Sequence, residues 1–115
     1  MKKVRVIFSP EAEEVYKHLN EIAPNSKVDR SILNAINKKV ELIKINIHYG
    51  EPIAKKLIPE EYKIKYEATN LFRVELPSFW RMLYTLTDGE SQIEIVAFVL
   101  DVLDHKDYDK KFGYK

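Results

Sequence analysis

The stretch Leu71-Phe72-Arg73-Val74-Glu75-Leu76-Pro77-Ser78-Phe79-Trp80-Arg81-Met82-Leu83-Tyr84-Thr85-Leu86 decides the fold. Its side chains alternate with period two, the signature of β-structure. Leu71–Leu76 reads as one strand and Trp80–Leu86 as a second, with Pro77-Ser78-Phe79 as the short turn between them. Alternation puts Trp80, Met82, Tyr84 and Leu86 on one face and Arg81, Leu83 and Thr85 on the other. Arg73, Glu75 and Arg81 then share a face with Leu71 and Leu83. A guanidinium in mid-strand needs a partner or a cleft. A structural ion pair of Arg81 with Glu75 or Glu94 is one reading of that need, and a ligand site is the other.

Working outward, Thr87-Asp88-Gly89-Glu90 reads as a hairpin turn and Gln92–Val102 as a third strand. The tail from Asp104 predicts a short helix or an irregular cap, with Tyr108 and Phe112 one helical turn apart. Towards the start, Val4, Val6 and Phe8 alternate with Lys3, Arg5 and Ile7 and predict a strand. Ser9-Pro10-Glu11 stops it and opens a helix: Ser caps, Pro suits the first turn, and Glu11, Glu13 and Glu14 complement the dipole. Pro24-Asn25 breaks that helix. Val28, Ile32, Ile36, Val40, Ile43 and Ile47 recur at helical spacing, predicting a long helix over about 27–48 that ends before Gly50 and Pro52. The two helices should form an antiparallel hairpin. Residues 51–70 predict a connection with one short helix or strand.

The expectation is therefore an α+β fold in one domain, residues 1–115. It has an N-terminal strand, a two-helix hairpin and a three-stranded antiparallel meander completing a sheet, with the helices on one face. Phe72, Val74, Trp80, Met82, Tyr84, Phe98 and Leu100 should pack against Ile32, Ile36, Val40 and Ile43.

Composition narrows the chemistry. The chain has 115 residues, no cysteine and a net charge of +1 from 19 basic and 18 acidic side chains. No disulfide, thiolate nucleophile or cysteine-zinc site is possible. The near balance argues against nucleic-acid binding by bulk charge, so any such binding must use a few placed cations. There is no phosphate-binding glycine loop, no metalloprotease helix motif and no nucleophile elbow. His18, His48 and His105 show no metal-ligand spacing. No signal peptide or membrane span is apparent, which makes cytoplasmic the expected location. Candidate polar groups are Arg73, Arg81, His105, Lys106 and Tyr108. His105 can exchange a proton near neutrality, and Tyr108 can donate a hydrogen bond or serve as a base if cations lower its pKa. The alternative is a charged C-terminal cap with Tyr108 packed on the sheet.

Taken in order, Val6-Ile7-Phe8-Ser9-Pro10-Glu11-Ala12, Lys55-Lys56-Leu57, Leu71-Phe72-Arg73-Val74, Trp80-Arg81-Met82-Leu83-Tyr84 and Ile95-Val96-Ala97-Phe98-Val99-Leu100 with a tyrosine-containing tail resemble the RelE/ParE superfamily of type II toxins. The resemblance implies a toxin that cuts mRNA in the ribosomal decoding site, needs no metal or other cofactor, and is restrained by a RelB-like antitoxin protein. In such an enzyme the substrate's 2′-hydroxyl attacks the adjacent phosphate. Carried over, Arg81 matches the mid-strand arginine that stabilises the phosphate, Arg73 a basic residue on the preceding strand, His105 or Lys106 the basic position after the last strand, and Tyr108 the nearby tyrosine. Glu75 departs from this pattern, standing where a second cation is common. Asp104, Asp107 and Asp109 make the tail less basic, and residues 58–70 look like an insertion. ParE-type relatives share the fold, lack the ribonuclease set and poison DNA gyrase. A non-enzymatic member acting by protein binding is thus the alternative implied.

Overall fold

In the computed structural model, residues 3–88 and 94–113 are described. The α+β class is as expected. Strands β1 (Lys3–Phe8), β2 (Glu51–Pro52), β3 (Phe72–Glu75), β4 (Arg81–Asp88) and β5 (Glu94–Leu103) form one sheet in the order β1-β5-β4-β3-β2. Helices α1 (Pro10–Ile22), α2 (Lys27–Ile45), α3 (Glu60–Tyr66) and α4 (His105–Lys111) pack around it.

The sheet corrects the expected three-stranded meander: it is five-stranded and mixed. β3 and β5 each pair antiparallel with β4, but β1 pairs parallel with β5, from Lys3 opposite Glu94 to Phe8 opposite Val99. The two-residue β2 adds a further edge, with Glu51 opposite Arg73. The expected turn at Thr87–Glu90 and the start of the third strand at Gln92 fall partly outside the described residues.

The caps form as the sequence implies. Ser9 Oγ accepts from the Ala12 N–H at 3.0 Å and donates to the Leu100 carbonyl at 2.6 Å, so one buried hydroxyl starts α1 and fastens it to β5. Ser26 caps α2, accepting from the Asp29 N–H at 3.3 Å. Tyr16 donates to Asn37 at 2.5 Å and Arg30 to the Ala23 carbonyl at 2.9 Å. Both contacts pair ascending positions of α1 with descending positions of α2, which is antiparallel packing. α2 stops at Ile45, a turn earlier than predicted. Asn46 takes extended backbone, and the chain must turn so that Gly50 can lie against Tyr84. A Cβ on Gly50 would sit 2.9 Å from the Tyr84 ring and 3.0 Å from Phe72 Cβ. The Gly50 N–H donates to the Tyr84 hydroxyl, which in turn donates to the Ile47 carbonyl.

Two cores result, one on each face of the sheet. Ile32, Ile36 and Ile43, with Val40 at the margin, pack on Phe72, Val74, Met82, Tyr84 and Trp80, as predicted. Phe98 and Leu100 do not join them. They face the opposite side, with Tyr62, Leu71, Leu83 and Tyr108. α3 and α4 cover that second face, so helices flank both sides of the sheet rather than one.

Phe98 and Leu100 alternate regularly with Ala97 and Val99 of the first cluster, and a β-bulge follows them. Tyr84 pairs with Val99 and Leu83 with Asp101, leaving Leu100 as the extra residue. The bulge brings Asp101 to the second face beside Leu100. There Asp101 accepts from the Tyr62 hydroxyl at 2.6 Å and lies 3.6 Å from Lys111 Nζ, tying α3 and α4 to β5. Among the described residues, no helix is long and apolar enough to cross a membrane.

Candidate functional site

The second face carries the polar constellation. Period two along β3 and β4 projects Arg73, Glu75 and Arg81 to this side, and antiparallel register sets Glu75 directly opposite Arg81. α4, capped by Asp104 accepting from the Asp107 N–H at 2.8 Å, lays Tyr108 over them.

Arg73 Nη1 donates to the Tyr108 hydroxyl at 3.2 Å and Nη2 to Glu51 at 2.9 Å. The Arg81 guanidinium stands over the Tyr108 ring, 5.2 Å from its centroid, and Nη1 donates to the Phe79 carbonyl. Glu75 bridges the two arginines, with Oε1 3.4 Å from Arg73 Nε and Oε2 3.1 Å from Arg81 Nε. Neither buried Nε–H finds an aligned hydrogen-bond acceptor, although both lie within ion-pair range of Glu75. The hydrogen bond from Arg73 to Tyr108, then that to Glu51, hold the Arg73 guanidinium to its proton more tightly than usual, against the opposing effect of burial.

Burial is graded across the cluster. The Arg81 and Arg73 side chains are 15% and 26% exposed, whereas those of Glu75 and Glu51 are 59% and 66% exposed. The cations form a fixed floor and the carboxylates lie towards solvent. A cavity of about 140 Å³ opens beside them, lined by Glu51, Ile53, Leu57, Arg73, Tyr108 and Phe112 among others.

Of the predicted residues, Arg73, Arg81 and Tyr108 converge. His105 joins the rim, its ring centroid 6.0 Å from that of Phe79 and its Nε2 3.2 Å from Asp109. Lys106 is exposed in the first turn of α4, next to His105 in sequence. The ion pair of Arg81 with Glu75 that sequence offered as one reading is present, and the side chain of Glu94 lies outside the described residues. Tyr108 is buried against the sheet and stacks on Phe112 at 4.6 Å. Sequence reasoning missed Glu51, because a two-residue strand leaves no periodicity to read. It also passed over Phe79, whose signal was a bulky residue in a tight turn. No three His, Asp or Glu side chains gather as metal ligands among the described residues.

Chemically, two guanidiniums and a phenol from three elements can bind and polarise an oxyanion, provided the anion displaces the outer carboxylates. Comparison with protein-family models, curated proteins and solved structures finds no match for this chain.

Proposed function

We propose that this chain is the toxin of a type II toxin–antitoxin pair, a RelE-like endoribonuclease that cuts mRNA in the ribosomal decoding site. The observation that carries the reading is the convergence of Arg73, Arg81 and Tyr108, from β3, β4 and α4, on one face. Strand alternation already places Arg73 and Arg81 on one face, whereas nothing in the spacing of the tail required Tyr108 to meet them.

In this reading the scissile phosphate replaces Glu75 and Glu51 on the arginines. Their unaligned Nε–H groups and exposed carboxylate partners favour such an exchange. The 2′-oxygen forms a bond to phosphorus as the bond from phosphorus to the 5′-oxygen breaks, giving a 2′,3′-cyclic phosphate and a 5′-oxygen that takes a proton from solvent water. Arg81 and Arg73 stabilise the charge that builds on the non-bridging oxygens. His105 takes the 2′-hydroxyl proton: it is exposed at the rim, and Asp109 at 3.2 Å orients its ring. Tyr108 holds Arg73 in place and offers the reacting phosphate a phenol. A RelB-like antitoxin covering this face restrains the enzyme.

The second reading, a non-enzymatic relative that acts by binding protein, draws on one observation. Glu51 and Glu75 neutralise both arginines, leaving the inner cluster without net charge. Induced expression with primer extension on translated and untranslated messages separates the two. Wild type should arrest growth and leave cuts only in translated messages. Arg81→Ala should lose about 10²–10³ in cleavage rate while staying folded, and Glu75→Gln should cleave at least as fast as wild type. Growth arrest without cuts, unchanged in Arg81→Ala, would establish the binding reading instead.

A further inference from the structure

Pro77-Ser78-Phe79-Trp80 is a tight turn closed by the Trp80 N–H donating to the Pro77 carbonyl at 3.3 Å. Ser78 has φ 59° and ψ 31°, and Phe79 has φ 63°. Two successive residues with positive φ make a left-handed hairpin turn, whose positions are ordinarily filled by Asn and Gly. Phe79 stands at a position that favours glycine. A bulky residue there is an outlier in backbone conformation, and such outliers gather at functional sites. The ring gains little burial in return, since Phe79 is 71% exposed. Its neighbours are chemically particular. The exposed imidazole of His105 tilts towards it at 6.0 Å, and the Phe79 carbonyl holds the Arg81 guanidinium.

We propose that Phe79, flanked by His105, is a stacking platform for an unpaired base of single-stranded RNA, seated next to the phosphate that Arg81 binds. This inference rests on the ribonuclease reading and adds a base-binding subsite to it. An exposed aromatic face beside a guanidinium is the combination that binds single-stranded nucleic acid, through base stacking and backbone charge together. The strained turn supplies rigidity, because the hydrogen bond between Arg81 and the Phe79 carbonyl fixes the platform relative to the phosphate site.

The test is single-turnover cleavage of a short synthetic message on programmed ribosomes, comparing wild type with Phe79→Gly, Phe79→Leu and Phe79→Trp. The message is used intact and with one abasic nucleotide at each position of the cleaved codon in turn. Phe79→Gly and Phe79→Leu should raise the half-saturating enzyme concentration on intact message by about 10- to 100-fold, the loss expected of one base–aromatic stack. Phe79→Trp should preserve it. At one codon position the abasic message should reproduce the loss with wild type, and there Phe79→Gly should cost nothing more. Equal activity of Phe79→Leu and wild type, or the same penalty for Phe79→Gly on every abasic message, overturns stacking and points to contact with a protein side chain. Cleavage that needs Arg81 but is indifferent to Phe79 overturns this inference and leaves the ribonuclease reading standing. No cleavage by wild type on any message removes both.

Discussion

Phe79 allows a direct measurement of the energy held in the turn. Left-handed backbone costs a non-glycine residue about 1–2 kcal/mol, and an exposed ring recovers little of that by burial. Phe79→Gly should therefore raise the stability of the fold by about 1 kcal/mol, read as an upward shift of roughly 4 °C in Tm. A lower Tm would show that the contact of Phe79 with His105 outweighs the backbone strain. Much of the site's residue-level pattern was legible in sequence, because period two alone puts Arg73, Glu75 and Arg81 on one face. The partner Glu51 was not legible. It reaches Arg73 through a strand of two residues, set by the close approach of Gly50 to Tyr84 rather than by any pattern of its own.

Among the elements, α3 is the one least visible beforehand, since Tyr62, Ile64 and Tyr66 alternate with Lys63 and Lys65 at the period of a strand rather than of a helix. Tertiary contacts hold it. Tyr62 reaches Asp101 across the bulge, and Tyr66 donates to Glu11 at 2.7 Å while Lys65 pairs with the same carboxylate. Those two partners, Lys65 first, lower the Glu11 pKa from 4.5 to about 2. The unfolded chain thus binds that proton more tightly than the folded one. The contribution of Glu11 to stability is complete above about pH 4.5 and lost as pH falls towards about 2. In urea titrations across that window, wild type should lose stability more steeply than Glu11→Gln. Asp101 acts in the opposite sense: burial raises its pKa, so the folded state gains relative stability as that carboxyl protonates. Strand alternation misassigned Leu100 and Phe98 because Ile95-Val96-Ala97-Phe98-Val99-Leu100 is apolar throughout, so neither of its faces is marked as the helical one. Counting by two from the apolar run cannot reveal an extra residue, and nothing in Val99-Leu100-Asp101 announces one.

At the scale of the whole molecule, the sheet separates two apolar clusters. Ile36 and Leu100 are each fully buried, one on either side. Ile36→Ala and Leu100→Ala should each cost about 2–5 kcal/mol. Because the sheet lies between them, the double variant should lose the sum to within about 0.5 kcal/mol. Equilibrium denaturation of the four proteins checks this, and a coupling above about 1 kcal/mol would mean that the faces repack as one core. The helical hairpin and its cluster were legible from the isoleucine spacing of α2. The second layer was not, because α3 and α4 are short and their apolar residues too few to declare a buried side.

The parallel pairing of β1 with β5 sets a timetable for biosynthesis. Lys3 and Glu94 are register partners, and the Ser9 hydroxyl bonds a carbonyl 91 positions downstream. At about 5–20 residues per second, the first strand waits roughly 5–18 s for the chain that completes its ladder. Through that interval the helical hairpin has no finished sheet to lie on. Tyr108 emerges later still, so the arginine pair gains its phenol only after all five strands have been made. A nascent chain of this protein therefore lacks the assembled cluster until α4 has followed the last strand.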